Sequence, residues 1–152
     1  MKELPISKQK NNQIIERNSH AHKLLALRAA KEAKRVLPMF EKACPNDARP
    51  RHAIEVIRAW AQGKRALGMM EVRKLSLDSH AAAREANSDA ARFAARAAGQ
   101  AVAVWHVPTH AIAVPTYASK ALAASKNKTV KRPNSHLKKK DGASLLKPSK
   151  KS

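Results

Sequence analysis

The sequence predicts an all-α protein, a compact bundle of about five helices with alanine-rich inner helices and a disordered basic C-terminal tail. Three observations support this fold class. The 152 residues include only 4 glycines and 3% aromatic residues, whereas good helix formers such as alanine, leucine and lysine are abundant. Apolar residues recur at spacings of three and four. Alanine is concentrated in 79–122, and its small side chain lets helices pack closely.

The first predicted helix spans 21–43. Pro38 lies within it, and because proline removes a backbone hydrogen bond we expect a kink or an early end near Leu37. The apolar face of this helix consists of Leu25, Ala29, Ala33, Val36 and Phe40.

A turn at 44–50 leads to the second predicted helix, 51–62. Asp47 is suited to cap this helix with its carboxylate, and Pro50 is suited to a first helical turn. Gly63 comes directly after the last residue of this segment and predicts the helix end.

The third and fourth helices are predicted at 64–87 and 89–106. Ser88 can cap the fourth helix with its hydroxyl, and Asp89 places a negative charge at the positive end of the helix dipole. The connections are short, which favours antiparallel neighbours.

Pro108 predicts a break after the fourth helix. Thr109 is expected to cap a fifth segment that ends near Ser125, and Pro115 is a possible kink within it. Because the alanine-rich sequence falls in the last two segments, we expect both to lie inside the bundle, with the first three helices around them.

The predicted organisation is a flexible polar arm at 1–20, a helical domain at 21–125 and a disordered polybasic tail at 126–152. The net charge is +20, and it is shared between the helical body and the tail. A charge of this size attracts nucleic acid, anionic lipid or an acidic protein without specificity.

The polybasic tail contains the cluster Lys138, Lys139 and Lys140. These lysines are expected to bind anions without specificity, which makes nonspecific nucleic-acid binding through the tail possible. The tail has no aromatic residue that could stack on the bases of a single strand.

A single cysteine, Cys44, excludes an intrachain disulfide and a multi-cysteine zinc site. We expect it to be an inert, at least partly buried thiol. The N-terminus lacks an apolar segment of signal-peptide length. Residues 97–119 carry no charged side chain, but Gln100, His106 and His110 oppose insertion, so no membrane insertion is expected.

The histidines His106 and His110 are four residues apart, a spacing that places two metal ligands on one face of an unbroken helix. Pro108 disturbs that spacing, and His80 could serve as a third ligand only if the fold brings it close. The alternative, which the sequence favours, is that the pair is half-buried and bonded to oxygen atoms. We expect no metal and no cofactor.

No catalytic set of side chains is visible. Glu71, Asp78 and Glu85 lie on one predicted helix among arginines, and a solvated ion-pair face explains them better than paired catalytic carboxylates. Gly99 is a single glycine within a helical segment, which is typical of a close helix crossing and not of a phosphate-binding loop. We therefore expect no enzymatic activity.

Arginines beside the apolar faces have two possible roles. Each can brace a helix junction by pairing with a carboxylate, or can be presented to an acidic partner. Trp60 and Trp105 are expected to be core or edge anchors, and exposure of either on a basic surface would indicate a binding hot spot. The arginines in question are Arg58, Arg84, Arg92 and Arg96.

Six segments carry a family resemblance: LLALRAAKEAKRVLPMFE (24–41), RPRHAIEVIRAWAQG (49–63), SHAAAREAN (79–87), AARAAGQAVA (94–103), HVPTHA (106–111) and YASKAL (117–122). In this order they resemble the Imm-five-like group of prokaryotic putative immunity proteins. The resemblance implies an all-helical cytoplasmic protein that binds and neutralises a toxin delivered by competing cells. The motif positions are Arg51, Arg58, Trp60, His80, Arg84, Arg96, Gln100, His106, His110 and Tyr117.

Three function classes follow. The first is a non-enzymatic immunity protein with a protein toxin as partner. The second is a basic helical protein associated with nucleic acid, whose binding would fall steeply with salt. The third is an enzyme or metal protein centred on His80, His106 and His110. The sequence favours the first and leaves the oligomeric state open.

Overall fold

The computed structural model describes residues 15–127, which form five α-helices and one short 3-10 helix and contain no β-strand. The predicted all-α bundle is confirmed. The polar arm and the polybasic tail fall largely outside the described residues. The α-helices are α1 (His20–Ala43), α2 (Arg49–Ala61), α3 (Met69–Glu85), α4 (Asp89–Ala103) and α5 (Ala113–Lys126), and the 3-10 helix spans Pro108–Ile112.

Helix α4 is the centre of the bundle and packs against α1, α2, α3 and α5. Because most of its side chains are single methyl groups, neighbouring helix axes can approach closely. Of the two helices expected inside, α4 takes this position, whereas α5 buries only Val114, Ala118 and Ala121. The fully buried alanines of α4 are Ala91, Ala94, Ala95, Ala97, Ala98 and Ala101.

Helix α1 continues through Pro38 to Ala43, so the helix does not end early. The ring of Pro38 is exposed, whereas Leu37 and Phe40 on either side of it are buried in the core. Burial of these large side chains stabilises the helix by more than one lost backbone hydrogen bond destabilises it.

Helix α2 begins at Arg49, slightly earlier than predicted, with Pro50 in its first turn. The N-cap residue is Ala48, which makes no side-chain cap, so Asp47 is not the cap that the sequence predicts. Asp47 lies one residue earlier, and its carboxylate accepts the backbone N–H of Arg49 at 3.1 Å. Gly63 has a φ of 76°, the left-handed conformation that ends the helix.

Helix α3 begins at Met69, later than the predicted start at 64, because Gly68 before it has an extended backbone. The start of α4 is as predicted, since the Ser88 hydroxyl accepts the N–H of Ala91 at 3.1 Å. No helix within 15–127 is long and apolar enough to cross a membrane.

The break at Pro108 is confirmed, although α4 already ends at Ala103. The predicted cap at Thr109 is wrong. The 3-10 helix runs directly into α5, so the residue before α5, Ile112, is itself helical and makes no side-chain cap. Pro115 lies in the first turn of α5, where proline is tolerated.

A buried histidine joins the start of α1 to the end of α4. His22 is fully buried, donates from Nε2 to the carbonyl of Val104 at 2.7 Å, and accepts the backbone N–H of Asn18 at Nδ1, 2.9 Å away. Its ring also meets Trp60 edge to face at 5.0 Å between centroids. Nothing in the sequence pattern distinguishes His22 from the exposed His20.

Candidate functional site

The candidate site starts from the one stripe of α4 that is not fully covered. Phe93, Arg96 and Gln100 are spaced by three and four, so they share a helix face, and all three are partly exposed. Helices α3 and α5 both pack against α4. The side chains that these three residues contact come from α3, from the 3-10 helix and from α5.

On the α3 side, His80 packs over Gly99 and accepts a hydrogen bond at Nδ1 from Arg96 Nη1, 2.9 Å away. A guanidinium only donates, so the proton of the neutral ring lies on Nε2. Burial, followed by the charges of Arg96 and Arg84, lowers the pKa of His80 to about 4. At neutral pH this imidazole is uncharged.

On the α5 side, His110 Nδ1 lies 2.7 Å from Gln100 Oε1, so the histidine donates and the amide oxygen accepts. Burial and the nearby His106 lower the pKa of His110. The neutral ring then carries a lone pair on Nε2 that can accept a hydrogen bond. The expectation of a half-buried, oxygen-bonded histidine is confirmed for His110, whereas His106 is exposed.

Next to this pair, Phe93 stacks on Tyr117 with 6.3 Å between ring centroids. The Lys120 ammonium lies 5.7 Å from the Phe93 centroid and 5.6 Å from that of Tyr117, within the range of a cation–π interaction. A shallow groove of about 440 Å³ runs alongside, lined by Thr109, His110, Ile112, Ala113, Thr116, Tyr117 and Lys120.

These groups form one continuous surface, which we call the polar surface. It contains six of the ten motif positions together with two residues that the sequence analysis did not name. The sequence feature that could have identified Phe93 is its position three residues before Arg96, on the same helix face. For Lys120 the corresponding feature is its position three residues after Tyr117. The polar surface consists of His80, Arg84, Phe93, Arg96, Gln100, His110, Tyr117 and Lys120.

The other motif positions lie elsewhere. Arg51 donates two hydrogen bonds, of 2.6 and 2.7 Å, to the Glu41 carboxylate. They lower the pKa of Glu41 and link α1 to α2. Arg58 is exposed on α2, and Trp60 is a core residue with 6% of its surface exposed. Trp105 is also buried. Both tryptophans are thus core anchors.

The four arginines for which the sequence left two roles open differ in the contacts that they make. Arg92 bonds to Asp89 within α4, a local ion pair. Arg96 bonds to a histidine, and within residues 15–127 neither Arg58 nor Arg84 forms an ion pair. The bracing role belongs instead to Arg51 and to Arg49, which bridges two acidic side chains.

The acidic residues of α3 are engaged away from the polar surface. Glu71 pairs with Arg65, Asp78 with Lys74, and Glu85 with Arg49, each at 2.7 or 2.8 Å. The predicted ion-pair face is confirmed. The described part of the chain contains no group of three or more histidine, cysteine or acidic side chains that could hold a metal ion.

Cys44 is half-buried, and burial raises the pKa of its thiol. The thiol therefore stays protonated at neutral pH and is a poor nucleophile. Lys138, Lys139 and Lys140 lie outside the described residues.

We expect Gly99→Ala to displace the His80 ring, because the new Cβ would lie 2.7 Å from His80 Nε2. Alanine in a helix interior is worth about 1 kcal/mol over glycine. That gain should appear in full in a His80→Ala background and be cancelled by lost packing in the wild-type background. Urea unfolding of the single and double variants measures this coupling, and equal effects in both backgrounds would contradict it.

The pKa of His80 predicts a loss of stability in mild acid. The unfolded chain takes up a proton near pH 6.5, whereas the folded chain resists protonation until about pH 4. The contribution of neutral His80 is therefore complete above pH 6.5 and is lost as the pH falls toward 4. His80→Gln should flatten the unfolding free energy over this window relative to the wild type, and NMR titration of the ring should give the low midpoint. A midpoint near 6.5 would overturn the assignment.

Comparison with known protein families identifies the chain. The family model described as Imm-5 like putative immunity protein matches residues 14–140, which include all five helices and the whole polar surface. No curated protein and no solved structure matches the chain. The resemblance seen in the sequence is confirmed, and the chain belongs to the Imm-5 like putative immunity protein family.

Proposed function

We propose that this protein binds and neutralises a toxin delivered by competing cells, acting as a cytoplasmic immunity protein without catalysis. The observation that carries the proposal is the family match over the entire helical bundle. The bundle itself supports a binding role, because its exposed functional groups lie on helices packed around one core. Side chains held in this way lose little conformational freedom on binding.

We further propose the polar surface as the toxin-contact surface. Arg96 and Gln100 are already oriented by hydrogen bonds to His80 and His110. Arginine and tyrosine are enriched at interface hot spots, and this surface contains Arg84, Arg96 and Tyr117.

The experiment that tests the proposal uses candidate toxins taken from the reading frames that neighbour the gene for this chain. Cells that express the toxin should regain growth when the full chain is co-expressed. In vitro, toxin activity should fall in proportion to the chain added and reach zero near an equimolar ratio. Full inhibition at a small fraction of that ratio, growing with time, would instead indicate that the chain modifies the toxin enzymatically.

A second candidate function is association with nucleic acid, which the net charge of +20 favours. A salt titration of binding to random duplex DNA, with the full chain and with a chain ending at Ser125, tests it. If the shorter chain binds with a steep salt dependence, this second function is supported. Binding that requires the tail shows only a nonspecific electrostatic contribution.

A further inference from the structure

Three cations of the polar surface, one each on α3, α4 and α5, have no acidic partner in the described part of the chain. Within the described residues, Arg84, Arg96 and Lys120 take part in no ion pair. The neighbouring acids of α3 and α4 are each paired with another basic residue. The surface is therefore a local concentration of positive charge that the bundle does not neutralise.

We infer that the polar surface docks an acidic segment of a partner polypeptide, whose carboxylates pair with Arg84, Arg96 and Lys120. This inference rests on the proposed function and specifies the chemistry that the toxin presents. Guanidinium groups bind carboxylates in a planar, two-pronged geometry, which makes the two arginines well suited to this ligand.

The aromatic pair favours a polypeptide over a nucleic acid. Phe93 and Tyr117 already stack on each other, and the Lys120 ammonium lies within 6 Å of both ring centroids. An anionic side chain can pair with Lys120 in that position, whereas a base that stacks on these rings competes with the contacts they already make.

The histidine next to the groove favours the same partner. His110 donates through Nδ1 to Gln100, so its Nε2 is left as an acceptor that needs a donor from the ligand. Every non-proline residue of a polypeptide has an N–H that can meet this acceptor, whereas in duplex DNA the donors lie only on the base edges within the grooves.

The groove supplies an apolar contact beside the charges. Ile112 lines it and is 74% exposed, an unusual position for a large aliphatic side chain. Ala113 and the ring of Tyr117 complete the apolar lining. The preferred segment therefore carries an apolar side chain flanked by carboxylates, so that burial of the apolar group adds to the ion pairs.

The test uses the full chain and a short synthetic peptide rich in glutamate with a central leucine, at an ionic strength of about 0.15 M to screen distant charges. Binding is followed by NMR. We expect shift changes at Arg96, Gln100, His110, Tyr117 and Lys120. The same peptide with glutamine in place of glutamate should bind at least about tenfold more weakly, which corresponds to about 1.4 kcal/mol.

A matched pair of variants separates this surface from general charge. The triple variant Arg84→Gln, Arg96→Gln, Lys120→Gln should weaken peptide binding about tenfold, whereas a control that neutralises three exposed cations of α1 should have little effect. Because Arg96→Gln removes a hydrogen bond to His80 and could affect folding, the double variant of the exposed Arg84 and Lys120 provides a second readout. The control substitutions are Arg28→Gln, Lys31→Gln and Lys34→Gln, all at exposed positions.

Three results would overturn the inference: equal weakening by both triple variants, equal binding of the glutamine peptide, or the same shift changes produced by duplex DNA or single-stranded RNA at lower concentration than by the peptide. The last result would assign the surface to nucleic acid.

Failure of this inference is distinguishable from failure of the proposed function. If the site variants still neutralise the toxin, only the assignment of this surface fails, whereas a wild-type chain that neutralises no toxin removes the function itself.

Discussion

Replacing His22 by alanine is expected to lower the free energy of unfolding by about 3 kcal/mol, as for a large buried side chain that also carries hydrogen bonds. The variant leaves a cavity beside Trp60 and removes the side-chain partner of the Val104 carbonyl. It also removes the acceptor for the N–H of Asn18. Urea unfolding, monitored by circular dichroism, measures the change.

Two control variants separate the hydrogen bonds from the loss of volume. His22→Gln retains a donor that can reach the Val104 carbonyl and should recover part of the stability. His52→Ala, at an exposed position on α2, should change stability by no more than about 0.5 kcal/mol. A His22→Ala variant as stable as His52→Ala would contradict the structural role of the buried ring.

Enlarging a buried alanine of the central helix is the second substitution with a large expected effect. Ala98 has no exposed surface, and α4 is enclosed by four helices. In Ala98→Leu the added carbon atoms have no space, so the neighbouring helices must move apart, at a cost of about 3 kcal/mol. The midpoint of urea unfolding should fall without a change in slope, the mark of a pure stability change.

The matched control is Ala90→Leu, at a partly exposed position in the first turn of the same helix. Leucine and alanine differ little in helix propensity, so this variant should stay within about 0.5 kcal/mol of the wild type. If Ala98→Leu proved as mild as Ala90→Leu, α4 would not be as tightly enclosed as the burial of its alanines indicates.

The sequence predicted those features that depend on a few neighbouring residues. The Ser88 cap, the stop at Gly63 and the break at Pro108 each follow from the local chemistry of one side chain, and all three are confirmed. Whether the predicted helix 21–43 kinks, ends early or continues at Pro38 could not be decided in this way, because its continuity depends on distant residues that pack against Leu37 and Phe40.

The candidate site also combines residues that the sequence could name with an arrangement that only the tertiary structure determines. The family resemblance named His80, Arg96, Gln100, His110 and Tyr117, but their convergence depends on how α3, the 3-10 helix and α5 pack on α4. Phe93 and Lys120 were not named, since one resembles an ordinary apolar residue and the other an ordinary surface lysine. Only the tertiary structure shows that they meet beside the stacked ring of Tyr117.

The position of α4 has a consequence for synthesis of the protein. The helix around which the bundle is built is the fourth to leave the ribosome, after α1, α2 and α3 have been made. Until it emerges, these helices lack the surface against which many of their apolar side chains pack, and most of the stability of a helix in a protein comes from such packing. The nascent chain must therefore remain largely unpacked until its alanine-rich segment is available, and assembly of the domain comes late in translation.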